Sequence, residues 1–314
     1  MDIPNQTNQA TSSQAISVGV ITHKGRFESF AAFLDLLATP LLVFEEWSGQ
    51  AVELLIINNS GPDHADVLKN ILLTSSIGEK CSVRQIDSPK NNIATGRNMV
   101  LDSSKYRYIA FIDDDEIPTK QWLIELAKVM FEHNCAAVSG PVHAQYPEGT
   151  SKLLKSIDLH NTIDKFDGDD LRYTGTGNVL IDKEKILDLR FDEKYGRTGG
   201  SDTDFFLRLT DTYERILWAE KAALSEKIPA DRASFRYFLN RCISQGRNFR
   251  QIKMARGEIA SLLMFRIRAV CVVLLSVCVA VMLLLLRSKK AGKWIKRACA
   301  NIGFLVKPAN MLYE

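Results

Sequence analysis

The residues Tyr108-Ile109-Ala110-Phe111-Ile112 run directly into Asp113-Asp114-Asp115-Glu116. The apolar half has no polar face, which is the pattern of a strand buried on both sides. Four carboxylates cannot follow it into a core, because burying unpaired charge costs too much. The strand must therefore end at an edge where water, a cation or a cationic ligand meets the acids. In an open α/β sheet that edge, at the carboxyl ends of the strands, is where ligands bind. Asp113 and Asp115 are spaced to converge on one hard cation, and Mg²⁺ or Mn²⁺ prefers a few carboxylates plus phosphate oxygens. The plainer alternative is a solvated acidic turn that caps the helix starting after Pro118.

The chain before this stretch alternates in period. Strands are expected at 16–21, 52–57 and 81–86, with helices over about 30–37, 65–73 and 93–101. After it come a helix at 121–133 and a strand at 136–140. Strands alternating with helices at this spacing mean βαβ units and a parallel sheet. Each strand ends in a polar loop. The groups around His23–Arg26, Asn58–Ser60, Arg97–Asn98 and Asp113–Asp115 are thus expected side by side at one sheet edge. No GxGxxG follows the first strand and no GxxxxGK[ST] occurs, which argues against a dinucleotide fingerprint and a P-loop.

Composition restricts the compartment. The six cysteines show no CxxC spacing and no histidine at zinc spacing, so they read as reduced thiols. Residues 1–15 are polar, without a basic n-region or an apolar core, and read as a flexible tail rather than a secretion signal. Net charge is only +3, yet the acids concentrate between 102 and 231 and the bases after 232. A basic C-terminal part points to an anionic surface, membrane or nucleic acid.

The segments Val18-Gly19-Val20-Ile21-Thr22-His23, Leu54-Leu55-Ile56-Ile57-Asn58-Asn59-Ser60, Ala94 to Asn98 and Phe111-Ile112-Asp113-Asp114-Asp115, taken together, resemble family 2 glycosyltransferases of GT-A fold. The nearest likeness is to bacterial exopolysaccharide enzymes of the succinoglycan type. Gly199-Gly200-Ser201-Asp202-Thr203-Asp204-Phe205-Phe206-Leu207-Arg208-Leu209 strengthens the resemblance, which covers roughly residues 16–250.

The resemblance implies a nucleotide-sugar donor, probed first as a UDP-sugar, and Mg²⁺ or Mn²⁺ as cofactor. It puts His23, Asn58, Arg97, Asp113 and Asp114 in the nucleotide-binding set, with Asp113 at the ribose. It puts Asp113 and Asp115 at the metal and makes Asp202 the catalytic base. From the residues alone, His23 also reads as a structural loop histidine, Arg97 as a surface arginine paired to an acid, and Asp114 as a solvated neighbour. Asp202 sits just before an apolar helix, where capping is the bland reading; capping does not account for Gly199-Gly200. Relatives often carry Glu at Ser201 and Asp at Asn58. An amide both donates and accepts, so Asn58 still suits a base edge. Tyr173-Thr174-Gly175-Thr176-Gly177-Asn178 reads as a Gly-rich turn into a strand lining the donor pocket, and His143 and His160 are assigned no role.

The C-terminal part has a different character. Residues 233–268 contain a basic amphipathic helix, with Phe235, Phe238, Leu239 and Cys242 on one face, suited to an anionic bilayer surface or, for its first half, to packing on the domain. Residues 269–286 are 18 positions without a charge, flanked by Arg266, Arg268 and Arg287, enough to span or enter a membrane. The tail 287–314 carries seven Lys and Arg, which positive-inside logic keeps cytosolic, on the side where sugar nucleotides are found. A span and a cytosolic tail conflict, so a re-entrant or in-plane element stands beside the span.

The reading is an α/β GT-A domain over 16–232 with a membrane-associated C-terminal part. It would be an inverting enzyme at the cytoplasmic face of a bacterial inner membrane. Its acceptor would be a lipid-linked saccharide, with other polysaccharide-assembly enzymes as neighbours and no nucleic acid. A non-catalytic nucleotide-sugar binder and a metal-dependent nucleotidyl- or phosphotransferase are the alternatives.

Overall fold

The computed structural model describes residues 14–157, 165–288 and 290–306. Residues 1–13 of the expected tail, His160, Lys289 and Lys307 lie outside the described residues.

The first half follows the expected alternation. Strand β1 (Ile16–Thr22) leads to helix α1 (Phe27–Ser48), then β2 (Val52–Asn58), α2 (Ala65–Thr74) and α3 (Ile77–Lys80). Next come β3 (Ser82–Asp87), α4 (Ile93–Ser103), β4 (Tyr108–Ile112), β5 (Glu116–Pro118), α5 (Trp122–His133) and β6 (Ala137–Ser139). Strand β7 (Val142–Gln145) and the short α6 (Lys152–Lys155) precede β8 (Asp170–Leu171), β9 (Asn178–Asp182) and α7 (Lys183–Ile186). Helix α8 (Ser201–Asp211), β10 (Ile216–Trp218) and β11 (Leu224–Lys227) complete the sheet region, and α9 (Phe235–Ala255), α10 (Ile259–Leu285) and α11 (Ala291–Leu305) follow.

Eight strands form one sheet in the order β3-β2-β1-β4-β9-β6-β10-β8. Strands β1 to β4 are mutually parallel, as expected. Strand β9 departs from that expectation: it enters antiparallel between β4 and β6. Its entry carries the Gly-rich turn at 173–177 to the end of β4, beside the acids. A second sheet of three strands, β5-β11-β7, stands at the same end.

Every residue of β2 and β4 is buried, which explains the apolar runs Leu54–Ile57 and Tyr108–Ile112. One core layer lies under α1 and α5, around Phe30, Leu34, Phe44 and Trp122. The opposite layer holds Phe111, Phe191, Phe205 and Phe206 against the other face. Gly19 lets α4 lie directly on β1: a Cβ there would come within 2.4 Å of Val100 Cγ1. That contact fixes how far the start of α4, with Arg97, reaches over the sheet edge.

Helix α1 is long and apolar enough to cross a bilayer, but its apolar side chains form the core. Helix α10 is the other such helix among the described residues, and most of its surface is open. It starts ten residues earlier than the apolar run at 269–286, so Arg266 and Arg268 lie inside the helix rather than at its flank. Both point outward, so the helix accommodates them without burying charge.

Candidate active site

The acids at the end of β4 separate into different environments. Asp114 is buried, not solvated as expected of a neighbour residue. Its Oδ2 accepts a 2.7 Å hydrogen bond from Thr22 Oγ1, and Arg26 lies 3.8 Å away. Enclosure pushes its pKa up to about 6, with Thr22 and Arg26 opposing and Asp115 adding. Asp114 therefore locks β4 to the end of β1 and has no free face for a nucleotide. Asp115 is half-buried and ion-paired with the same Arg26.

Asp113 is open to solvent yet enclosed by protein on a larger scale, the situation of a residue at the floor of a cleft. Enclosure raises its pKa to about 6; Arg97 opposes the rise, and Asp115, Asp114 and Asp202 add to it. Glu116 is 5% exposed, and its Oε2 has no hydrogen-bond partner among the described residues. Burial, then repulsion from Asp113, Asp115 and Glu226, lifts its pKa well above the usual carboxylate range. Glu116 faces Glu226 directly across the β5–β11 ladder. Glu226 is raised to about 7, first by burial and then by Asp115, against Arg232.

The Gly-rich turn closes this floor. A Cβ at Gly177 would come within 2.7 Å of Glu116 Oε1 and 3.1 Å of Asp113 Oδ2, so any side chain there must displace the acids. Two residues earlier, a Cβ at Gly175 would stand 3.6 Å from Asp202 Oδ2. One short turn thus has the acid floor at one end and Asp202 at the other. Asp202 lies within the first turn of α8, not before it, and its Oδ1 accepts a 2.7 Å bond from the Thr203 amide. Its Oδ2 is left toward the turn. Gly199 and Gly200 take φ of 86° and 96°, the left-handed region that favours glycine, and Gly200 caps α8. This bend, rather than a side-chain cap, starts the helix and sets Asp202 at the cleft.

Arg97 is buried rather than on the surface, and its partner is not an acid: Nη1 donates to Ser201 Oγ at 2.7 Å. Its guanidinium carbon lies 5.6 Å from the Phe191 ring centroid, and Nε has no partner among the described residues. His23 is exposed, and its Nδ1 accepts from the Gly25 amide at 3.1 Å. Enclosure by the surrounding loops, then the Arg26 charge, holds its pKa below the ordinary histidine value.

Asn58 does not present its amide to the cleft. It is fully buried, Nδ2 donates to Gly61 O at 2.9 Å and Asp87 Oδ1 at 2.8 Å, and Oδ1 accepts from the Ser60 amide. The expected base contact gives way to a loop-shaping role. The four loop groups do gather at one edge, with Thr22, Arg26, Ser60 and Arg97 reaching Asp114, Asp115, Lys24 and Ser201.

Sequence reasoning missed Glu226, because a lone glutamate in a short strand carries no local signal. Glu116 was within the acid run but without a role. Among the described residues no three His, Cys, Asp or Glu side chains converge as a closed metal cage. The residues still fit a hard dication: carboxylates raised first by enclosure and then by their acidic neighbours, one with an unpartnered oxygen, are all-oxygen donors. Mg²⁺ commonly takes one or two carboxylates plus substrate phosphates rather than a protein cage.

A family model described as glycosyl transferase family 2 matches residues 18–194, more than half of the chain. The chain belongs to glycosyl transferase family 2. The match ends before Gly199, so Asp202 stands outside it. This family 2 glycosyltransferase is 33% identical over 163 residues to the succinoglycan biosynthesis protein ExoM of Rhizobium meliloti (strain 1021). That alignment takes in 51% of the chain and 53% of the relative, so the chain spans about half the length of the curated relative it matches.

Two solved structures share its fold. The mannosyltransferase PcManGT from Pyrobaculum calidifontis, in complex with GDP-Man and Mn²⁺, superposes with a TM-score of 0.54 at 12% identity, over 79% of this chain and 65% of that one. S. aureus TarS 1-349, in complex with UDP-GlcNAc, gives 0.51 at 16% identity, over 73% and 64%. The fold of this family 2 enzyme is GT-A.

Proposed function

We propose that this glycosyltransferase moves one sugar from a nucleotide-sugar donor, a UDP-sugar in the first instance, to a lipid-linked saccharide. The product has inverted anomeric configuration and serves exopolysaccharide assembly. The observation that carries the reading is the turn at Gly175–Gly177, with Asp113 and Glu116 at one end and Asp202 at the other. A leaving diphosphate needs its charge neutralised at one side of the sugar, and an attacking hydroxyl needs a base at the other.

Asp202 Oδ2 takes the proton of the acceptor hydroxyl. The hydroxyl oxygen forms the new bond to the anomeric carbon, on the face opposite the departing phosphate oxygen, whose bond breaks. Asp113 holds the donor ribose, and Asp113 with Asp115 would hold Mg²⁺ or Mn²⁺. The metal would supply charge neutralisation for the diphosphate. Asp115, paired with Arg26 in the structure, would be free to hold that metal where a diphosphate takes up the Arg26 charge. His23 and Arg97 border the nucleotide, Arg97 by setting Ser201 and the turn before Asp202. Asn58 and Asp114 shape the loop ends that the nucleotide rests on.

We take residues 16–232 as the catalytic unit and 233–314 as the membrane-facing part, at the cytoplasmic face of a bacterial inner membrane. The likeness to an exopolysaccharide protein and the open apolar surface of α10 support that location.

The test is nucleotide release from UDP-, GDP- and dTDP-sugars by the purified full chain with Mn²⁺ and membrane lipid extract. Release from one donor that depends on the extract supports the reading. Extract-independent release, unchanged in Asp202→Asn, would sink it.

A further inference from the structure

Helix α9 lies along the catalytic unit for its whole length. Phe238 and Cys242 pack with Leu154 and Ile157 near its start. Asn248 sits against Gly199 and Gly200, Ile252 packs with Tyr195 and Leu207, and Arg256 pairs with Asp211 near its end. Helix α11 lies on α9 at backbone distance: a Cβ at Gly246 would come within 1.9 Å of Ala300 O, and one at Gly303 within 2.0 Å of Ile243 O. Arg250 Nη1 donates to Val306 O at 2.9 Å, and Gly292, at the other end of α11, lies against the backbone of Ser156 and Ile157. One end of α11 is therefore fastened to the catalytic unit at Ser156 and the other to α9 at Arg250.

Helix α10 forms the outermost layer. It runs back along α11 with Phe265 at 6.1 Å from Phe304, and it buries Ala269, Ser276 and Ala280 on that side. Its outward face shows Leu263, Ile267, Leu274, Leu275 and Leu285. Its first turn is tied down by Glu258, which pairs with Lys253 and Arg256. Its last turn leads within a few residues to Gly292 on Ser156. A helix of this length, roughly 40 Å at 1.5 Å per residue, reaches across a bilayer only if its ends part to opposite sides. That would drag α11 off α9 and Ser156. The geometry as it stands keeps both ends on one side.

We propose that α10 lies in the plane of the bilayer as the outer layer of a docked hairpin, anchoring the enzyme from one face without crossing. Its apolar surround then has two explanations: α11 on the inside and acyl chains on the outside. Exposed Arg266, Arg268, Arg287, Lys290 and Lys293 border that face, which commits it to anionic lipid headgroups. The arrangement removes the conflict between an apolar run and a basic tail, since both stay on the cytosolic side. It also sets the Gly199-Gly200 bend, and with it Asp202, three helices (α9, α11 and α10) from the lipid. The inference rests on the packing of α9 to α11 and not on the reaction proposed above.

The test is thiol labelling of the full chain in a bacterial host. Lys290→Cys and, as an independent probe, Lys293→Cys lie in and just after the turn between α10 and α11. A membrane-impermeant PEG-maleimide is applied to intact spheroplasts and to inverted vesicles, and adducts are counted by mass shift against wild type. Membrane-bound protein that gains one adduct in inverted vesicles and none in spheroplasts is the expected result. An adduct gained from the spheroplast exterior shows a span and overturns the proposal. An adduct gained from neither side places the turn inside the bilayer and overturns it too, as does protein recovered only in the soluble fraction. None of these readouts depends on sugar transfer.

Discussion

Arg97 Nη1 donates to Ser201 Oγ at 2.7 Å, joining residues 104 positions apart in the chain. The bond ties the second turn of α4 to the first residue of α8, the two helices whose starts border the cleft. Both partners are buried, so neither can turn to water instead. Ser201→Ala leaves the guanidinium short of an acceptor. A hydrogen bond to a charged group contributes about 1.5–3 kcal/mol, and chemical denaturation should show a loss in that range. Ser201→Thr, which keeps the hydroxyl, should recover most of it.

Asp202→Asn should separate binding from chemistry. The amide keeps the shape of the side chain and the bond from Thr203, but it cannot take a proton. Turnover with lipid extract should fall by about a hundred- to ten-thousand-fold. Donor affinity, measured by calorimetry, should stay within a few fold. A matching loss of donor affinity would assign Asp202 to binding instead.

Gly177→Ala places a methyl group between Glu116 and Asp113, 2.7 Å from the nearer oxygen. Circular dichroism should be unchanged, because the turn has a φ open to alanine. Mn²⁺-dependent donor binding should weaken at least tenfold. Undiminished binding would show that the acid floor is not the donor site.

The pH dependence of stability follows from the raised acids. Asp113 and Asp114 reach about 6 and Glu226 about 7 in the folded protein, above their ordinary values of 3.8 and 4.5. The folded state thus binds more protons than the unfolded one between those limits, so these groups make stability fall as pH rises from about 5 to 7. His23, held below its ordinary value, works the other way and is unaffected by a change at Glu116. Metal-free Glu116→Gln removes one of the raised carboxyls, whose proton the folded state holds. Its melting temperature should therefore fall less than wild type's between pH 5 and 7. Equal slopes would show that the Glu116 carboxyl is not raised as the geometry implies.

Gly246→Val pushes a branched side chain into the backbone of α11, where even a Cβ would be 1.9 Å from Ala300 O. Overpacking of this kind costs about 1–3 kcal/mol. Trypsin should then cut at Lys296 and Arg297 well before it does in wild type. Resistance equal to wild type would show that α11 does not depend on that contact.

Much of this molecule is legible along the chain, for a physical reason. Strands β1, β2 and β4 are largely buried on both faces and mostly apolar, so they stand out. The acids that end β4, and the glycines before Asp202, each violate a local rule strongly enough to be seen. What is not legible depends on contacts between distant segments. Asn58 looks like a loop amide free for a ligand, and only the β2–β3 register, which sets it beside Asp87, turns it inward. Glu226 joins the cleft through its place opposite Glu116. The antiparallel entry of β9 leaves no mark in its own five residues, because a strand buried on both faces reads the same in either direction. The early start of α10 was hidden by Arg266 and Arg268, which look like a boundary until their outward direction is known.

The placement of β9 has a consequence for how the chain is made. Strand β4 pairs with β1 on one side and with β9 on the other, and β9 ends at Asp182, seventy residues after β4 ends at Ile112. During synthesis at roughly 5–20 residues per second, β1 to β4 emerge with one long apolar edge unpaired for several seconds. That edge is a template for mispairing with another nascent chain. Expression at reduced temperature or with chaperones that hold extended apolar segments should therefore raise the yield of folded protein.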